Sequence, residues 1–189
     1  MIKRFYTIFC LLIFAILLNS CKTAELGFRV VDISGMIYDF SNRPVPHCEI
    51  SLGRRYRSST DINGRFTLPN VAIGTYSITA YKDGFETYSE NITINSSGQI
   101  IYIRIPSQIQ LLNMVDEALT ANNLSLAGEI ADRAYQIDIN NTEALFYYAT
   151  VKFRLQEYGE AVNYLEAARN LGSRDLYIDR FLTILKELL

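Results

Sequence analysis

Tryptophan is absent, histidine occurs once, cysteine three times and proline four times in 189 residues. The single histidine, His47, has no cysteine or carboxylate clustered with it in sequence. It therefore makes neither zinc-ligand spacing nor a nucleophile triad, and it reads as a surface side chain at the start of a strand. The charge lacks a dominant sign, with a formal net of −2. Nucleic-acid binders are normally basic, so no nucleic-acid partner is expected. Phosphate-binding glycine loops, nucleophile elbows and framed carboxylate pairs are also missing. No catalytic residue, cofactor or metal is expected from these absences. What remains is an apolar fraction of 49%, enough for a real core.

The longest apolar run, Phe5 to Leu18, is too short for a permanent span. As a helix it would reach about 21 Å, against about 30 Å of bilayer core. Met1-Ile2-Lys3-Arg4 supplies a positive start, so residues 1–20 read as a signal segment. Leu18-Asn19-Ser20-Cys21 resembles the bacterial lipobox. That resemblance implies lipid attachment at Cys21, cleavage before it and a membrane anchor, because more than one acyl chain holds stably. The implied location is the bacterial cell envelope, at the outer membrane, facing periplasm or exterior. Residues 21–27 are then a lipidated tether. Cys10 would leave with the signal and Cys21 would carry lipid, so Cys48 alone would remain and no intramolecular disulfide could form. Loss of Lys3 and Arg4 would leave a net charge of −4.

Residues 28–106 show short alternating runs separated by turn residues, which predicts about seven strands. Val31, Ile33 and Ile37 share one face; Tyr76, Ile78 and Ala80 share another; Ile101, Ile103 and Ile105 a third. Asp61-Ile62-Asn63-Gly64 predicts a tight turn, as do Asp83-Gly84 and Asn95-Ser96-Ser97-Gly98. Ser34-Gly35, Pro44-Val45-Pro46, Ser51-Leu52, Thr60 to Phe66, Leu68 to Val71, Gly74-Thr75-Tyr76 and Tyr81 to Phe85 follow in an order that resembles the carboxypeptidase regulatory-like domain. The resemblance implies a transthyretin-like β-sandwich acting as a structural or binding accessory, without catalytic residues. It also places Cys48 at a small buried position, implying an inert thiol.

From residue 107 to 189 the apolar period changes from two to between three and four. Helices are expected at about 108–121, 124–138, 142–155, 158–171 and 174–188. Ala127 and Ala134 recur as Ala161 and Ala168, each 34 residues later, and Leu111, Leu119 and Leu124 align with Leu145, Phe153 and Tyr158. Asn122-Asn123 and Gln156-Glu157 fall in equivalent turns. This pattern resembles the tetratricopeptide repeat, in which small residues let two helices cross closely. Overall, the expected class is α+β: an N-terminal seven-stranded antiparallel β-sandwich, then about five antiparallel repeat helices.

The repeat resemblance implies a groove lined by Leu112, Asp116, Leu119 and Thr120 in the first unit and by Phe146, Thr150, Phe153 and Arg154 in the second. Such a groove takes an amphipathic partner segment unless core packing or the last helix occupies it. That last helix carries two apolar stripes, one of Tyr177, Phe181, Ile184 and Leu188 and one of Ile178, Leu182, Leu185 and Leu189. A terminal cap normally turns a polar face outward. Both stripes should therefore be buried, one on the second repeat and one on the sandwich, a second copy or another partner. Arg54-Arg55-Tyr56-Arg57 is a basic hairpin that could meet anionic head groups or stay solvated. Tyr81 and Tyr102 face outward, where a sugar could stack on them, although isolated surface tyrosines are common. The expected role is a non-catalytic adaptor binding envelope proteins or its own copies through the repeats. A cell-wall or glycan-binding accessory is the alternative.

Overall fold

A computed structural model describes residues 29–172 and 176–189. Seven strands come first: β1 (Val30–Tyr38), β2 (Glu49–Leu52), β3 (Tyr56–Ser59), β4 (Arg65–Ala72), β5 (Gly74–Tyr81), β6 (Tyr88–Ile94) and β7 (Ile100–Arg104). Five helices follow: α1 (Gln108–Thr120), α2 (Leu124–Ile137), α3 (Thr142–Arg154), α4 (Tyr158–Asn170) and α5 (Leu176–Glu187). The lipobox cysteine, Cys21, lies outside the described residues.

The strands form two sheets, ordered β4-β1-β7 and β3-β2-β5-β6. Alternating apolar residues of both sheets meet between them; Ile33, Ile37, Ile50, Leu52, Leu68, Ile78 and Ile103 are all at most 1% exposed. Pairing is antiparallel except between β1 and β7, which run parallel over five residue pairs. The reason is topological. β6 runs away from the helices, the loop after it crosses to the other sheet, and β7 must return in the direction of β1. Gly35 makes room for the core. A Cβ there would lie 2.3 Å from the Phe66 ring and 2.7 Å from the Ile101 carbonyl. The predicted turn at Asp61–Gly64 closes on itself: Asp61 Oδ1 accepts from the amides of Asn63 and Arg65, and Gly64 takes φ 73°.

The helices stand in antiparallel hairpins. Ala127, Ala134, Ala161 and Ala168 are all fully buried, and so are Val115 and Ala149, also 34 residues apart. The equivalent turns share a left-handed residue, Asn122 at φ 57° and Gln156 at φ 64°. Their caps differ. Asn123 caps α2 through its side chain, whereas Glu157 makes no such bond to α4.

Candidate protein-binding surface and domain junction

The eight anticipated groove positions divide by polarity. Leu112 and Leu119 are buried in the core shared by α1 to α3. Phe146 and Phe153 are half-buried and meet Phe181 of α5 edge to face, with ring centroids 6.2 and 5.2 Å apart. The apolar positions of the second unit thus already hold a side chain of the same chain. Thr150 donates back to the carbonyl of Phe146. Asp116, Thr120 and Arg154 are exposed, and Arg154 donates to Asn122 Oδ1 across the two hairpins at 2.8 Å.

The last helix separates its two stripes. Ile178, Leu182 and Leu185 are buried against the second hairpin, and Lys186 pairs with Glu166 at 2.9 Å. Tyr177, Ile184 and Leu188 are 72%, 47% and 51% exposed. Phe181 is half-buried between the stripes. The sandwich does not cover the outer stripe, which is one of the three occupants considered for it. Leu189, assigned to the inner stripe by spacing, is exposed because α5 ends at Glu187. Leu176 and Leu189 extend the open apolar surface to both ends of the helix.

Behind this surface, Tyr135, Tyr148 and Tyr164 form a ring cluster. Tyr135 stacks on Tyr148 at 5.5 Å, and Tyr164 stands edge-on to both. Burial, then the neighbouring Tyr164 and Asp132, push the Tyr148 phenol up to about 12, so it stays a neutral donor. Lys152 bridges Glu157 and Glu160 at 2.6 and 2.7 Å, and these hydrogen bonds hold its proton more tightly than usual. A notch of about 580 Å³ beside the cluster is lined by Tyr135, Tyr164 and several asparagines and opens to solvent.

Sequence reasoning did not anticipate the junction between sandwich and helices. Phe85 and Ser107 form a β-bridge, the Glu86 amide donates to the Pro106 carbonyl, and the Gln108 amide donates to the Gly84 carbonyl. Ser107 opens α1 in a reciprocal capping box with Gln110, whose side chain also donates to Ser41 Oγ. Arg133 on α2 grips Glu86 in bidentate fashion, at 2.7 and 2.8 Å. Gln108 is buried at the base of this arrangement. It donates to the Ala134 carbonyl and accepts from Asn141 Nδ2, joining α1, α2 and the start of α3. Ser107-x-x-Gln110 was a readable cap signal. The Glu86–Arg133 pair is 47 residues apart and carried none.

Cys48 is fully buried, and burial pushes its thiol up to about 11 despite the smaller lowering effects of Lys82 and the Tyr81 carbonyl contact. It is a poor nucleophile in that state. His47 is exposed in the turn before β2, at φ 53°, not within the strand. Tyr81 and Tyr102 are exposed, but they sit on different sheets and form no common stacking platform. Tyr81 also donates to Asp83. Among the described residues, no group of three or more histidine, cysteine or acidic side chains is placed to hold a metal ion, and no helix is long and apolar enough to cross a membrane.

No curated protein matches the chain. Solved structures align to parts of it. A type II cohesin–X-dockerin complex from Acetivibrio cellulolyticus is 21% identical over 41% of this chain and 58% of that one, with a TM-score of 0.37. The TPR2B domain of yeast Sti1, in a complex with pHsp70, is 22% identical over 43% of this chain and 70% of that one, TM-score 0.41. A putative carbohydrate-binding protein from Pseudomonas aeruginosa is 16% identical over 40% and 88%, TM-score 0.30. The chain spans less than two thirds of the cohesin–dockerin chain it matches. Residues 32–103, from β1 to β7, match the family model of the carboxypeptidase regulatory-like domain.

Proposed function

We propose that this chain is a lipid-anchored, non-catalytic adaptor of the bacterial envelope, tethered through Cys21 and binding proteins with its helical end. One observation carries the binding half: the open apolar side of α5, where Ile184 is 47% exposed and Leu176, Leu188 and Leu189, at and just beyond the helix ends, are between 51% and 80% exposed. Exposed large apolar side chains grouped on one terminal helix favour a protein-contact site. The polar groove positions Asp116, Thr120 and Arg154 flank the hairpins and supply register. The sandwich is joined to the helices by the Glu86–Arg133 pair and the hydrogen bonds around Ser107 and Gln108. The non-catalytic half rests on chemistry: the thiol is buried and the histidine stands apart from any cysteine or acidic cluster among the described residues.

Crosslinking in intact cells, followed by identification of the attached chains, tests the reading. The native chain is expected to be recovered joined to an envelope protein or to its own copy. Ile184→Asp with Leu188→Asp is expected to abolish that product while the helical content stays unchanged. Recovery of the native chain without any attached partner would overturn the binding half. Cys21→Ala is expected to release the protein from the membrane fraction, and full retention would overturn the anchor.

A further inference from the structure

We infer that the end of the sandwich joined by the tether is a basic, lipid-facing surface that rests on anionic head groups and holds the helical repeats away from the bilayer. The inference rests on the anchor at Cys21.

Strand direction fixes the geometry. β1 enters at Val30, and its exit lies beside the helices, where Ile105 donates to the Tyr38 carbonyl and Gln110 reaches Ser41. Nine residues of strand separate these points, about 30 Å. Every loop at the entry end belongs to one surface. Val30 pairs with Ala72, and the Ile73 amide donates to the Arg29 carbonyl. Tyr56 Oη accepts from the Ala72 amide, which brings the β2–β3 turn onto the same end. Gly74 pairs with Ile94, which adds the loop before β7. The basic hairpin of the sequence thus lies where the chain from Cys21 arrives.

The charge of this end is one-sided. Arg29, Arg54 and Arg55 are exposed and have no ion-pair partner among the described residues; the Arg55 guanidinium lies over the Tyr56 ring at 5.6 Å. Among the described residues of this end, Asp32 is the acidic side chain, and its carboxylate accepts from the Asn70 amide at 2.9 Å. Residues 69–75 and 95–99 contain no charged side chain. The exposed apolar side chains Val30 and Ile73 sit among the arginines. Asp61, Asp83 and Glu86 lie at the opposite, helical end, where Arg43 and Lys82 are also found and the charge is mixed. A short covalent tether completes the match. Arg29 is eight residue steps from Cys21, about 28 Å at full extension, so this end remains within reach of the leaflet. Cations near an anionic leaflet each raise membrane affinity about fivefold.

The test uses the full-length lipidated protein, reconstituted into vesicles of phosphatidylcholine alone or of phosphatidylcholine with phosphatidylglycerol. Flotation reports the anchor, and amide hydrogen exchange reports the contact. Exchange at residues 54–55 and 96–98 is expected to slow about fivefold or more in the anionic vesicles. The slowing should disappear in Arg54→Gln with Arg55→Gln and in high salt, with β5 amides unchanged as a control for the fold. Protein that floats with both vesicle types but exchanges equally at these residues would overturn the inference and leave the anchor standing. Protein that floats with neither would remove the anchor, and the inference with it.

Discussion

The sandwich and the helical hairpins solve the burial problem with different materials. The sandwich closes over large branched side chains, with Ile33, Ile37, Leu52, Ile78 and Ile94 fully buried between two sheets. The hairpins cross at alanines, and buried leucines, isoleucines and valines fill the space around each crossing, with half-buried tyrosine and phenylalanine rings at its edge. A β-sandwich of this kind is complete within itself. The helical part depends on its neighbours: Glu86 from the sandwich holds α2, and α5 covers Leu145 and Leu165. Even then it leaves an apolar stripe open. The part whose core is divided into two clusters, with a terminal helix closing the second, is therefore the part with surface left for a partner.

The sharpest way to break this comparison is to make a cavity in the sandwich. Ile78→Ala removes a fully buried branched side chain and should destabilise the sandwich by about 2–5 kcal/mol, while helical circular dichroism at moderate temperature persists. Simultaneous loss of both signals would show that the helices cannot stand without the sheet. In the hairpins the opposite change does the damage. Ala161→Leu forces a larger side chain into a fully buried crossing and should cost about 1–3 kcal/mol, read as a lower midpoint in urea for the helical signal. An unchanged midpoint would mean the crossing is looser than its burial implies.

Asp39 offers a smaller and pH-dependent effect. Burial alone would raise its pKa, but amide donors from Arg43 and Ser41 and the Arg43 guanidinium outweigh burial and hold it below the usual aspartate value. The unfolded chain therefore takes up the proton first. The stabilisation is complete above the ordinary value of about 4 and is lost as pH falls through the lower folded value. Asp39→Asn should cost about 1 kcal/mol at neutral pH and flatten acid denaturation in that range. The smallest expected effect is at the junction. Both partners of Glu86–Arg133 are about a third exposed, so a double-mutant cycle with alanine should give a coupling below about 1 kcal/mol. Its larger signature is geometric: small-angle scattering of the double variant should show a broader spread of distances between the modules.

Much of this molecule was legible because its signals are local. Period-two runs gave strands and Asp61-Ile62-Asn63-Gly64 gave its turn, each set by backbone geometry within a few residues, and a 34-residue recurrence gave paired helices. The candidate surface was only half legible. Spacing identified the two stripes of α5 but not which would be covered, and it placed Leu189 on a helix that stops at Glu187. Groove positions carried over from the repeat pattern proved to be core at Leu112 and Leu119, and filled by Phe181 at Phe146 and Phe153.

Alternation, small-residue recurrence and turn chemistry, all present in the sequence, determined that a sheet domain precedes helical hairpins. They did so because burial of one face at a fixed period leaves few other folds. Only the tertiary structure decided that β7 returns parallel to β1, that Glu86 meets Arg133, and that the arginine hairpin shares an end with the incoming chain. Those outcomes depend on which distant segments pack together, and pairwise contact energies between segments 40 residues apart leave no periodic trace in the order of the residues.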